Sequence, residues 1–323
     1  MKAKAIVFTG VNQVTLEQNA IPEPGAGEVL LEAEYTLISP GTELRCRAGK
    51  QDGAVFPFIP GYSFVGRVIA CGEGTTLREE TRVYCGGTTK ANINRTWDGH
   101  VSHAVQSEQD VYPVVEGIEP VWGAAARLVG IAYRGVRLSV PRAHETVAVI
   151  GLGAIGMLAA RLHALSGARV VAADLSPSRV SIAKEAGIEA FVPQGGLAES
   201  FARVLPNGAD VVVDATGHAA VLPQSLDVAK SKGWDDSADL GARFVVQGSY
   251  AGDFNVPYMA AFMKEVSFYV PRDIRAALDL MARGKLNLAG VISDIRSPEA
   301  APESYATLAE PNAELITVAF KWN

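Results

Sequence analysis

Cysteine is scarce in this chain of 323 residues: Cys46, Cys71 and Cys85 are all it has. Three, irregularly spaced, are too few for a disulfide framework or a zinc ribbon, so they read as reduced thiols with packing roles. Histidine is scarce too, and of the five only His100 and His103 lie close in sequence. Strand alternation would turn those two to opposite faces, which argues against a metal site there. An excess of basic charge is also missing. With 29 Lys and Arg against 35 Asp and Glu the formal net charge is −6, which argues against a nucleic-acid partner, although a small anion can still bind in a local positive pocket. Long apolar runs are absent as well: the longest, residues 147–160, contains a glycine turn and falls short of the roughly 18 to 20 residues a membrane span needs. The first apolar residues stop at Thr9-Gly10, so the N-terminus reads as a β-strand rather than a signal peptide. The expectation is a cytoplasmic protein, and its length suggests about two domains.

What is present is a glycine turn in a specific setting. Gly151-Leu152-Gly153-Ala154-Ile155-Gly156 follows the apolar run 146–150 and opens the Ala-rich segment 157–164. Strand, glycine turn and helix in that order suit a dinucleotide pyrophosphate, because the backbone admits the phosphates and the helix N-terminus offers N–H groups and positive dipole. A second apolar run, 168–173, ends in Asp174, 18 positions past Gly156, close to the roughly 20 expected for a ribose-binding acid. Ser176-Pro177 fits the cap of the next helix better than Asp174 does. Asp174 is thus expected to accept from the ribose hydroxyls and to repel a 2′-phosphate, favouring NAD over NADP. Arg179 is the counter-argument: it could meet a 2′-phosphate, or it is an exposed helix residue.

Up to about residue 115, short β-type runs are separated by Pro and Gly, as at Pro22, Pro24, Gly25, Pro57 and Pro60, and suggest a small barrel. From Pro120 the character changes. A helix is expected at 122–136, followed by strands at 146–150, 169–173, 190–192, 211–214, 243–247 and 266–270 with helices between them, the pattern of a doubly wound parallel sheet. Residues 231–240 read as a surface loop. The remainder suggests helices at 274–283 and 302–308 and strands at 290–293 and 315–320, returning to the N-terminal lobe.

This order resembles the medium-chain dehydrogenase/reductase superfamily over essentially the whole chain. Pro22-Glu23-Pro24-Gly25-Ala26-Gly27-Glu28-Val29, Ser39-Pro40-Gly41-Thr42-Glu43 and Pro60-Gly61-Tyr62-Ser63-Phe64-Val65-Gly66 resemble its Pro-Gly-Gly-Glu-Val, Cys-Gly-Thr-Asp and Gly-His-Glu segments. Val211-Val212-Val213-Asp214-Ala215-Thr216-Gly217 is similar to the strand and turn facing the nicotinamide in relatives. The resemblance implies a GroES-like β-rich catalytic domain at 1–119, an α/β Rossmann domain at 120–270 and a return segment at 271–323. It adds Thr216 and Gly248 to the cofactor-binding residues Gly151, Gly153, Ala154, Ile155, Gly156, Asp174 and Arg179. Relatives often dimerise through the last strand of this domain, so a homodimer is implied as possible.

The departures bear on chemistry. Where zinc-bearing members hold their catalytic metal, this chain has Pro40 and Tyr62, and the neighbouring acids are replaced by Ser63 and Arg127. Proline carries no side-chain donor and a phenol is a poor zinc ligand. The four-cysteine structural lobe is missing, since 85–97 holds one cysteine. Neither zinc is expected. The substrate oxygen would then meet Tyr62 or Thr42, with Thr42 relaying the proton as the resemblance implies, while Glu43 is more readily structural, bonded to backbone or to an arginine. Ser63 and Tyr250 are further pocket candidates. Arg127 could bind a cofactor phosphate, an acidic substrate or Glu43. The wording around residues 39–43 and 60–68 is similar to the zinc-lacking branch containing the hydroxyethyl-bacteriochlorophyllide dehydrogenases, which implies oxidation of a secondary alcohol to a ketone. Two alternatives stay open: an NADPH-dependent quinone or enone reductase, and a cofactor-binding sensor without turnover.

Overall fold

A computed structural model describes all residues except 95, 233–240, 251, 252, 254, 270–274, 311 and 312. Most of the loop expected at 231–240 therefore lies outside the described residues. None of the described helices is long and apolar enough to cross a membrane.

The chain forms two compact units, Met1–Arg127 with Arg275–Asn323, and Leu128–Ile274. The first boundary falls after Arg127 and not after residue 119. The cause is the short helix Pro120–Ala124, which packs on the strands Glu28–Leu37, Phe64–Cys71 and Arg82–Cys85. Its Gly123 lies so close that an added Cβ would stand 3.1 Å from Val65. The helix expected at 122–136 is accordingly two helices, Pro120–Ala124 and Ala126–Ser139. The second boundary falls after residue 274.

In the first unit the expected small barrel takes the form of a seven-stranded sheet and a separate hairpin. The hairpin is Lys2–Gly10 with Gln13–Ala20, joined to the rest by single bridges such as Ala5 with Val101. Alternate residues of the long central strand, Val29, Leu31 and Ala33, are buried with Val68, Val83 and Ala104, as the period of two in a strand requires. Its edge is extended by Val318–Lys321 from the far end of the chain, with Ala319 opposite Leu37. The strand expected at 290–293 forms instead at Asp294–Arg296, because Gly290 (φ 75°) and the Val291 N–H to Leu288 carbonyl bond close a turn first.

The second unit holds a six-stranded parallel sheet. Its spatial order is Glu189–Phe191, Arg169–Ala173, Thr146–Ile150, Val211–Asp214, Arg243–Val246, Ser267–Tyr269. Counted from Thr146–Ile150 this is 3-2-1-4-5-6, the doubly wound order. The inner strands are apolar on both faces, as a sheet covered on both sides demands. The direction of winding reverses between the first and fourth strands, whose ends Ile150 and Asp214 lie side by side.

Packing of this unit leaves a titratable group inside. His163, on the helix Ala154–Ala164, is fully buried, with Nδ1 donating to the Ala159 carbonyl at 2.8 Å. Burial, reinforced by the Arg243 charge and opposed by that carbonyl, lowers its pKa from 6.5 to about 4. Below pH 6.5 the unfolded chain binds the proton and the folded chain does not, so stability falls with pH. Urea unfolding should therefore show a loss of about 3 kcal/mol from this group between pH 6.5 and 4. In His163→Gln that component of the slope should vanish.

Candidate functional site

Glycine geometry shapes the second unit's cradle. Gly151 has φ 87°, a left-handed conformation that favours glycine, and its N–H donates to Ala173 at 2.8 Å. A Cβ on Gly156 would fall 1.8 Å from the Gly151 carbonyl oxygen, whereas a Cβ on Gly153 would meet nothing within 4 Å. Gly156 therefore serves helix packing, and Gly153 faces open space at the helix start. Gly153 caps the helix Ala154–Ala164 without any side-chain cap, so the first-turn N–H groups of Ala154, Ile155 and Gly156, which have no intrahelical acceptor, suit an anion. Gly156→Ala should cost about 1–3 kcal/mol of stability by overpacking, read by urea unfolding, and should weaken nucleotide binding.

Asp174 is more constrained than the sequence suggests. Its Oδ2 accepts from the Leu152 N–H at 2.6 Å and its Oδ1 from the Ser176 N–H at 2.8 Å. It thus braces the glycine turn while keeping spare acceptor sites, since a carboxylate has about four. Ser176 caps the helix Pro177–Glu185, with Pro177 in the first turn. Arg179 is not simply an exposed helix residue: its Nη1 stands 3.9 Å from Asp174 Oδ2. Thr216 donates from N and Oγ1 to Asp214 Oδ1 at 3.0 and 2.7 Å, and the Gly248 N–H donates to the Asp214 carbonyl at 2.9 Å. Tyr250, a further pocket candidate, donates its hydroxyl to Asp214 at 2.6 Å.

A second polar cluster belongs to the first unit. The helix Pro40–Arg47 starts with proline, and the Thr42 N–H donates to the Ser39 carbonyl at 3.2 Å. The Thr42 side chain bonds the Tyr62 hydroxyl, and the Tyr62 and Ser39 hydroxyls are 2.5 Å apart. The Tyr62 ring meets Trp97 edge-on at 5.4 Å. Burial raises the Tyr62 pKa, and the Glu43 charge adds to this against the Ser39 and Thr42 bonds and the Arg127 cation. At neutral pH the phenol therefore keeps its proton and is a hydrogen-bond donor.

Glu43 is fully buried and bonded to backbone, the first of the two expected arrangements, and among the described residues its side-chain partners are a histidine and a tyrosine. Its Oε1 accepts from the Ser39 N–H at 2.7 Å, and its Oε2 is bonded by His100 Nε2 at 2.9 Å and by the Tyr305 hydroxyl. His100 Nδ1 reaches Thr36 Oγ1 at 2.8 Å, which also accepts from Trp322 Nε1 at 3.0 Å. Glu43 thus holds the backbone of Ser39, the partner of Tyr62. Arg127 bonds the Tyr84 hydroxyl, which in turn donates to the Tyr62 carbonyl at 2.8 Å. Ser63 Oγ is buried without a hydrogen-bond partner. Sequence reasoning missed Ser39, His100, Tyr305 and Asp214. Only Asp214 left a local signal, an acid closing the apolar run Val-Val-Val.

These donors do not fit zinc. Pro40 has none, the Tyr62 hydroxyl is engaged, and among the described residues no group of three or more His, Cys, Asp and Glu could hold a metal. Burial pushes the Cys46 and Cys85 thiols up to about 12, so neither is a ready thiolate.

The family described as zinc-binding dehydrogenase matches residues 154–283. The 2-desacetyl-2-hydroxyethyl bacteriochlorophyllide A dehydrogenase of Cereibacter sphaeroides is 28% identical over 329 residues, covering 95% of this chain and 94% of that one. A short chain alcohol dehydrogenase from Escherichia coli CFT073, solved with NADH, shares the fold at TM-score 0.86 and 21% identity over 99% of both chains. A Sinorhizobium meliloti 1021 structure described as a zinc-binding dehydrogenase bound to NADP does so at TM-score 0.85 and 22% identity, again over 99% of both.

Proposed function

We propose that the chain is a member of the medium-chain dehydrogenase/reductase superfamily and a zinc-independent oxidoreductase moving a hydride between NAD(H) and a secondary alcohol or ketone, a reading supported by its likeness to the zinc-binding dehydrogenase family over residues 154–283 and to the bacteriochlorophyllide dehydrogenase over nearly its whole length. The observation that carries this reading is the Gly151–Gly156 turn, open at Gly153 and braced by Asp174 through the Leu152 N–H. Gly151, Gly153, Ala154, Ile155 and Gly156 take the pyrophosphate, Asp174 the ribose, and Thr216 and Gly248 border the nicotinamide half. When bound, the dinucleotide supplies or accepts the hydride.

The chain's own part is to handle one proton. In ketone reduction the Tyr62 hydroxyl donates to the substrate oxygen and is reprotonated through Ser39 or Thr42; in alcohol oxidation the proton runs back along the same hydroxyls. The raised pKa of Tyr62 suits this, since the phenol is protonated when the carbonyl needs a donor. Glu43 keeps Ser39 in place from behind and does not meet substrate. The reading includes a cytoplasmic location and a homodimer formed along the edge strand Ser267–Tyr269, where Phe268 is exposed. Fluorescence titration with NADH and NADPH tests the cofactor assignment. NADH should bind more tightly, and NADPH binding about tenfold tighter would favour an enone or quinone reductase instead.

A further inference from the structure

Asp214 closes the fourth strand of the parallel sheet and is fully buried. Its carboxylate gathers donors from three segments: Thr216 N and Oγ1 at 3.0 and 2.7 Å, Ser225 Oγ at 2.7 Å and the Tyr250 hydroxyl at 2.6 Å. Its carbonyl accepts from the Gln247 and Gly248 N–H groups at 2.8 and 2.9 Å. A buried carboxylate is costly unless hydrogen-bonded, and an apolar residue would fill a core position at less cost. Here Thr216, Tyr250, Gln247 and Gly248 lie in the turns leaving the fourth and fifth strands, and Ser225 donates from the helix Leu222–Asp227 that follows the first of them.

Those two turns touch through glycine. A Cβ on Gly248 would stand 2.6 Å from the Gly217 nitrogen, and one on Gly217, whose φ is 70°, would lie 3.0 Å from the Ser249 oxygen. The first turn also abuts the dinucleotide cradle, since a Cβ on Gly151 would meet Thr216 at 3.2 Å. In open α/β sheets ligands bind outside the carboxyl ends of the strands, where the strand order reverses. Asp214 sits at that reversal, beside Ile150.

We propose that Asp214 is a positioning residue whose carboxylate, acting through Thr216 and Tyr250, sets the two turns that hold the nicotinamide half of the dinucleotide. This rests on the dinucleotide reading above. Burial and the neighbouring Asp214 charge push the Tyr250 pKa up, so at neutral pH its hydroxyl keeps its proton and is a standing donor.

The test separates the two halves of the ligand. NADH and ADP-ribose, which lacks the nicotinamide, are titrated calorimetrically into the full-length wild type, Tyr250→Phe and Asp214→Asn. Tyr250→Phe deletes one hydroxyl and keeps the ring, so it remains informative if Asp214→Asn fails to fold. It should weaken NADH about tenfold, the scale of one lost bond to a charged acceptor, and leave ADP-ribose within about twofold. Equal weakening of both ligands, as a general loss of structure would produce, or unchanged NADH affinity would overturn the proposal. A wild type that binds no ADP-ribose would overturn the dinucleotide reading itself, and the proposal with it.

Discussion

Tyr62→Phe is expected to lower kcat by about 10²- to 10⁴-fold, the usual contribution of a positioned proton donor, with NADH affinity almost unchanged. The variant keeps the ring against Trp97 and removes only the hydroxyl that meets Ser39 at 2.5 Å. A group working only in the transition state lowers kcat and kcat/KM together. Steady-state kinetics and an NADH titration on the same preparation therefore separate a chemical role from a wall of the pocket. Ser39→Ala and Thr42→Ala should each cost less, because either neighbour can return the proton to Tyr62. If Tyr62→Phe instead turns over at the wild-type rate, the substrate oxygen is polarised by something else.

Asp174→Ala carries the second large effect. It removes acceptors from the Leu152 and Ser176 N–H groups and a charge 3.9 Å from Arg179. Hydrogen bonds to charged groups contribute about 1.5–3 kcal/mol each, so NADH should bind about 10- to 100-fold more weakly. Without the carboxylate, the Arg179 charge loses its anionic neighbour and is left to attract a ribose 2′-phosphate, so NADPH should lose less than NADH or gain. Titration of both cofactors with the variant reads the ratio. A uniform loss for NADH and NADPH would mean that Asp174 only braces the turn.

The cradle was legible in the sequence because glycine turns, caps and apolar strands are local. Gly151 and Gly156 are dictated by backbone geometry within a few residues, and Ser176-Pro177 capped its helix as read. The doubly wound sheet followed from runs such as Val147-Ala148-Val149-Ile150 alternating with helical segments. The hydroxyl cluster was only half legible. Thr42, Glu43 and Tyr62 could be singled out, but Glu43 is bonded by His100, 57 positions away, and by Tyr305, 262 away, and spacing says nothing of such pairs. His100 looked like half of a weak metal pair and is instead the buried partner of an acid. Tyr250 could be placed after the fifth strand, but its bond to Asp214, 36 positions away, is likewise invisible to spacing. The strand at Asp294–Arg296 was displaced because the apolar pattern began one turn too early.

In the proposed reaction, the assistance to hydride transfer comes from protein hydroxyls and not from a metal. The most direct test is the metal content of purified protein measured by mass spectrometry alongside NAD-dependent oxidation of secondary alcohols, before and after exhaustive chelation. Far less than one zinc per chain is expected, with a rate that chelation leaves unchanged. One zinc per chain, with activity lost on its removal and restored on its return, would contradict it.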